Sequence, residues 1–303
     1  MIGTAAVLGG GAVARALLDA LPEVGVRVLA SWQRRSGLEP PPLRDVDLVL
    51  LAVSDQAVAD VCQRVDVGPG QLVVHLAGAL GLGALRSARR KGARTGSFHP
   101  LRAFTRGEPK GFRGATAGIA GSDATASADL SELAVRLGMT PLPTAGRARA
   151  LYHAAAVLAA GAQVALFAEA VRAFRKATGA EEPEARAALL PLALSALEKL
   201  RREPPVEAIT GPAARGDLDT IAAHRRALPR DLLVLYDELT RVSLALRRPR
   251  AEALREPAPG NRSSRRRRPP PRAERPAANS RSRARYGPRP APPPRGPSPR
   301  RRR

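Results

Sequence analysis

One cysteine stands in a chain of 303 residues, and its isolation removes whole classes of chemistry. Cys62 can form no disulfide within the chain and contributes to no thiolate metal cluster, so no metal site is expected. The N-terminal stretch MIGTAAVLGGGAVARALL is apolar but lacks a basic leader, and Arg15 interrupts it. It makes a poor signal peptide, which leaves the cytoplasm as the expected compartment. Aliphatic side chains are almost missing after Leu254, where arginine and proline dominate. Residues 249–303 hold eighteen Arg and three Glu and carry +15 of the total charge of +23. Such a segment buries too little apolar surface to offset its ordering entropy and is expected to be a disordered basic tail, whose arginine runs would touch polyanions without sequence preference. The body, with the remaining +8, is only mildly basic. Formal charge is also missing from Ala150 to Ala168, nearly enough to span a bilayer. That stretch is mostly alanine, holds Tyr152, His153, Gly161 and Gln163, and runs into Glu169 and Arg172. It reads as a buried central helix, with no membrane contact.

What is present begins with TAAVLGGGAVARALLDAL, a strand over Thr4 to Leu8, a glycine turn, and a helix from about Gly11. Gly9, Gly11 and Ala14 match G-x-G-x-x-A, the dinucleotide fingerprint. Gly9 permits the tight turn, Gly11 lets backbone approach a pyrophosphate, and Ala14 lets helix and strand pack closely. Free N–H groups at the helix start would meet the phosphates. A second strand, Val26 to Ala30, runs into SWQRRSG, where the acidic residue that binds ribose hydroxyls for NAD is missing. Ser31, Arg34 and Arg35 stand there instead and suit a 2′-phosphate, so NADP is the expected cofactor. Strands at Leu48–Val53, Leu72–Leu76, Arg94–Phe98 and Thr116–Ala120 recur at the spacing of a parallel sheet. The expected fold is a doubly wound α/β Rossmann sheet over 1–146 with Ser54, Asp55, His75 and His99 at carboxyl ends of strands, where ligands bind.

After Gly146 strand patterning stops. Arg147–Thr178 reads as one long helix, followed by helices at Glu184–Arg202, Leu218–Leu228 and Leu232–Arg247. Residues 147–248 are therefore expected to be an all-α domain for substrate contacts and dimerisation.

The fingerprint, AVSDQAV, GSFHPLRAF, LYHAAAVLAAG and ITGPAARGDLDTIAAH together resemble a bacterial family that pairs a Rossmann-like domain with the domain of unknown function 2520, related to the 6-phosphogluconate dehydrogenase and pyrroline-5-carboxylate reductase group. The resemblance covers roughly residues 4–245 and implies the fold and the cofactor class. Ala77 stands where that family tends to have serine, and Gly161 where its motif ends in asparagine. Related β-hydroxyacid dehydrogenases use a lysine in the first interdomain helix, and here that helix offers only Lys176, near its far end.

Without that lysine, the histidines and a tyrosine are left to move protons. His99 leads, because HPL also resembles the HPM motif of prephenate dehydrogenases and Pro100 is expected to stop the strand at the cleft. His153 and Tyr152 on the long helix are further catalytic candidates. In TGPAARGDLDTIAAH, Arg215 would pair with a substrate carboxylate while Asp217 orients Arg215 or His224; the plain reading of Asp217 is a helix N-cap. Two functions stay open at this point. One is an NADPH-dependent reductase of a small 2-oxo acid or imine, ketopantoate-reductase-like in one version and active as a homodimer. The other is a non-catalytic nucleotide-binding regulatory or structural protein with a polyanion-binding tail.

Overall fold

Alternating apolar residues build a sheet with a core on each face. In the computed structural model, which describes residues 2–37, 39–104, 111–144 and 148–247, seven strands form one sheet: β1 (Thr4–Leu8), β2 (Arg27–Trp32), β3 (Leu48–Leu51), β4 (Leu72–His75), β5 (Arg94–Leu101), β6 (Thr116–Gly121) and β7 (Thr140–Pro143). Their order is β2-β1-β3-β4-β5-β6-β7. Four helices accompany them: α1 (Ala12–Glu23), α2 (Val58–Arg64), α3 (Arg86–Arg90) and α4 (Ala124–Arg136). Ala5, Val7, Leu48, Leu50, Leu72 and Val74 turn to one face and pack on α1 and α4. Ala6, Leu8, Val49, Leu51 and Val73 turn to the other and pack on α2 and α3, Cys62 among them. Burial on both faces explains why these strands read as continuous apolar runs. The order reverses between β1 and β3, which makes the space beyond their carboxyl ends the crevice of the sheet.

The sheet departs from the expected all-parallel form at one place. β6 runs antiparallel to β5, and β7 then pairs parallel with β6. This changes the meaning of Pro100. β5 does not stop before the proline but runs through it to Leu101, pairing with β4 only as far as Ser97 and with β6 along Gly96–Leu101. The Ser122 N–H donates to the Thr95 carbonyl, so residues 95, 97, 99 and 101 exchange hydrogen bonds with β6 and the nitrogen of Pro100 faces the opposite edge. β4 has already ended there, so the missing N–H costs no ladder bond.

Beyond β7 the described chain is helical: α5 (Arg149–Ala159), α6 (Gly161–Thr178), α7 (Glu182–Lys199), α8 (Pro205–Ala208), α9 (Pro212–Arg215), α10 (Leu218–Ala227) and α11 (Arg230–Arg247). A capping box between Glu181 and Glu184 starts α7, with Pro183 in its first turn. The expected single helix over 147–178 is two helices, because Ala160 leaves helical geometry at φ −125° and ψ −79°. Nor is it a buried central helix. Leu151, Leu158 and Val164 are 74%, 65% and 71% exposed, since none of the described elements covers them. Together Arg149–Thr178 are long and apolar enough to cross a membrane by length and composition. The tail expected to be disordered, 249–303, lies outside the described residues.

Candidate functional site

The glycine turn sits where the sheet requires close approach. A side chain at Gly9 would run into the backbone carbonyl of Ala52, which follows β3, while its own N–H donates to the Trp32 carbonyl at 2.7 Å. Gly9 thus ties the ends of three adjacent strands together. At Gly11 a Cβ would meet nothing within 4 Å and would fill open space in front of α1. No side chain caps that helix, which leaves its first N–H groups to the same space. Ala14 is buried against the sheet, as close helix–strand packing demands.

That space is a cavity of about 710 Å³, walled by the glycine turn, Arg34 and Arg35 after β2, Ser54 and Asp55 after β3, and Ala77 after β4. Ser31 lies in an adjoining hollow that shares Gln33 and Arg35 with it. The residue set fits a dinucleotide: a cradle at Gly11, a helix N-terminus for the pyrophosphate, and two guanidinium groups beyond the second strand with the Ser31 hydroxyl near its end. His75, expected here as a cofactor contact, is not on the wall. It is fully buried at the end of β4, and its ring nitrogens face backbone of Ala77 and Gly81 without a hydrogen bond of normal geometry among the described residues.

A second cavity, about 680 Å³, adjoins the first, and Arg102 lines both. His99, Tyr152, His153 and Gly161 stand in its wall, with Ala155, Ala156 and Val157 making most of the rest apolar. The three expected catalytic residues are therefore brought together. His99 Nδ1 lies 2.9 Å from the Tyr152 hydroxyl oxygen, and its ring meets those of Tyr152 and His153 edge to face at 5.6 and 5.8 Å.

Two glycines that sequence reasoning did not single out make room for this cluster. A Cβ at Gly78 would lie 2.5 Å from the His153 ring and 2.7 Å from that of His99, and one at Gly118, opposite His99 in β6, would strike the Tyr152 hydroxyl. Arg149 was also missed. Only 3% exposed, it donates to Ser97 Oγ at 2.5 Å, the Ala77 carbonyl at 3.1 Å and Thr144 Oγ1 at 3.2 Å. Its signal in the sequence was weak: the second of two arginines, Arg147 and Arg149, at the head of an apolar helix.

Burial, with the neighbouring charges of His153 and Arg149, holds the His99 imidazole down at about 4, and Asp55 opposes the shift. Burial, again helped by Arg149, lowers His75 to about 4 as well. Burial pushes the Tyr152 phenol up, and Arg149 pulls it back. At neutral pH both histidines are thus uncharged and Tyr152 keeps its proton.

Arg215, Asp217 and His224 do not reach either cavity wall. Asp217 is the N-cap of α10, accepting from the Thr220 N–H at 3.0 Å and its hydroxyl at 2.7 Å. His224 Nδ1 lies 2.8 Å from the Tyr236 hydroxyl on α11. Their density in sequence reflects helix capping and packing between α10 and α11 within one chain.

The fold is shared with solved structures, oxidoreductases among them. A Bacteroides fragilis protein assigned as an NADP oxidoreductase is 23% identical and superimposes with a TM-score of 0.64 over 80% of this chain and 98% of its own. A Thermotoga maritima protein is 21% identical, TM-score 0.63, over 84% and 100%. A reductive aminase from Aspergillus terreus, solved with NADPH and ethyl levulinate, is 15% identical, TM-score 0.56, over 81% and 94%. Residues 115–242 match the model of the domain of unknown function DUF2520. No curated protein matches the chain by sequence.

The histidines set a pH dependence of stability. The unfolded chain binds a proton on each near pH 6.5, whereas folding keeps His75 and His99 neutral down to about 4. Stability from these sites is complete above pH 6.5 and drains as pH falls towards 4. The thermal midpoint is expected to drop already between pH 6.5 and 5, above the ordinary carboxylate range; a flat profile there would contradict the assignment.

Proposed function

We propose that this chain is an NADPH-dependent oxidoreductase acting on a small 2-oxo acid or imine. The junction of the two cavities at Arg102, with the His99–Tyr152 pair in the wall beyond it, carries the reading. The Gly9–Ala12 turn would hold the pyrophosphate, and Ser31, Arg34 and Arg35 the 2′-phosphate. A bound reduced nicotinamide supplies a hydride. The second cavity would align a carbonyl or imine against it, its apolar lining excluding water. Tyr152 is then the proton donor, because His99 is neutral at working pH; His99 Nδ1, hydrogen-bonded to the phenol, orients it and passes it a replacement proton. This transfers to Tyr152 the role that the sequence suggested for His99. The similarity of fold to the NADPH-bound reductive aminase supports the cofactor class. Ala77, an apolar residue on the first cavity's wall, favours the alternative of a nucleotide-binding protein without catalysis, and turnover separates the two.

A second copy would cover the apolar face of the helical region, where Leu151, Val164 and Val234 are 74%, 71% and 77% exposed. A homodimer through α5, α6 and α11 accounts for this face better than a membrane, because Glu169, Arg172 and Asp231 form ion pairs on these helices. The second copy is also the route by which Arg215, Asp217 and His224 would meet substrate.

Thermal-shift titration tests the cofactor. NADPH is expected to stabilise the protein more than NADH, and Arg35→Ala to weaken NADPH about tenfold, the loss of one charge-assisted contact. Equal shifts, or none, would remove the assignment. Light scattering on the eluted protein tests the assembly: a dimer is expected, and Leu151→Glu combined with Val164→Glu should yield monomer. A monomeric wild type sinks the interface.

A further inference from the structure

Arg149 is the most deeply buried ionic group described, and among the described residues no carboxylate pairs with it. Three neutral oxygens hold two of its nitrogens, and Nε has no partner among the described residues. Burying a cation in this way is costly, and removing an unpaired charge ordinarily helps a fold. A role in packing is a poor explanation for it. Its surroundings suggest another. Arg149 begins α5, and Tyr152 lies three residues on, one turn along the same face. Ser97, which fixes the guanidinium, lies two residues before His99 on β5.

We infer that Arg149 is a positioning residue, a sealed counter-charge that stabilises the Tyr152 phenolate formed when Tyr152 gives up its proton. The inference rests on the proposed reductase reading for the substrate step. As the substrate's C=O or C=N carbon accepts the hydride, the π pair moves onto oxygen or nitrogen. That atom takes the Tyr152 hydroxyl proton, the O–H pair stays on the phenol oxygen, and a proton from water returns through His99. The anion exists only after the proton has left, so a fixed cation beside it favours the transfer more than it favours the resting state. The same charge disfavours imidazolium on His99. The other ionisable groups facing the cluster are His75 at the end of β4, Asp55 after β3, Arg102 after β5 and His153 on α5.

Proton titration of the full chain, with neither cofactor nor substrate, tests this apart from the reductase reading. His99 is followed by NMR and the Tyr152 phenolate by absorbance, assigned through its loss in Tyr152→Phe. In Arg149→Gln the His99 transition should rise from about 4 and that of Tyr152 should move further up, because both lose a neighbouring cation. Arg149→Lys, which keeps the charge, should restore both towards wild type. Transitions unmoved in Arg149→Gln, or moved alike in Gln and Lys, would overturn the inference and leave Arg149 a packing residue. If Arg149→Gln does not fold, salt decides with Arg149 in place. A sealed cation is not screened, so once His153→Gln removes the neighbouring charge on the cavity wall, His99 should titrate at the same pH in 50 mM and 500 mM salt, and a rise with salt would overturn it.

Discussion

The site depends on how far β5 outruns its parallel neighbour. β4 ends at His75, paired to Ser97, while β5 continues to Leu101 because antiparallel β6 supports it from the other side. That overhang carries His99 past the edge of the parallel sheet and opens room for the loop at Ala77 and Gly78. A wholly parallel sheet would have lost its hydrogen bonds where β4 stopped. Pro100 belongs to this arrangement, because its nitrogen faces the vacated edge. The helix that returns after β7 then lays Arg149, Tyr152 and His153 against the overhang, in the space left open by Gly78 and Gly118.

Electrostatics follows from that placement. Burial alone would make His99 and His75 neutral and Tyr152 reluctant to ionise; Arg149 reinforces the first effect and opposes the second. A sealed cation behind the neutral His99 and His75 rings would favour a negative charge developing on Tyr152. The first cavity has a different character, with exposed guanidinium groups at Arg34 and Arg35 and free helix N–H groups that suit fixed phosphates. Arg102, common to both cavities, marks where one ligand would give way to the other.

Much of this was legible in the sequence because it is local. Strand, glycine turn and helix are neighbours in the chain, so Gly9, Gly11 and Ala14 announced the crevice, and Ser31, Arg34 and Arg35 fell where the fingerprint places them. His99, Tyr152 and His153 were found as motif residues and do converge. The remainder depends on contacts between distant parts of the chain. Arg149 matters because it meets Ala77, 72 residues away, and Gly78 because two histidines from other elements press on it. The antiparallel turn of β6 left no mark on its apolar pattern, so the sheet was read as parallel and Pro100 as a stop. His75 looked available at a strand end, and only the packed loop after it shows that it is sealed. α5 and α6 read as core because their composition is that of a core helix, which they resemble except that no described element covers them.

The position of a nicotinamide ring in crystals grown with NADPH tests the central claim most directly. The ring is expected at Arg102, where the two cavities meet, with its reactive face turned towards the Tyr152 hydroxyl and open space between them for a small substrate. A ring lodged away from that junction, or a nucleotide bound with its adenine end against His99, would contradict it.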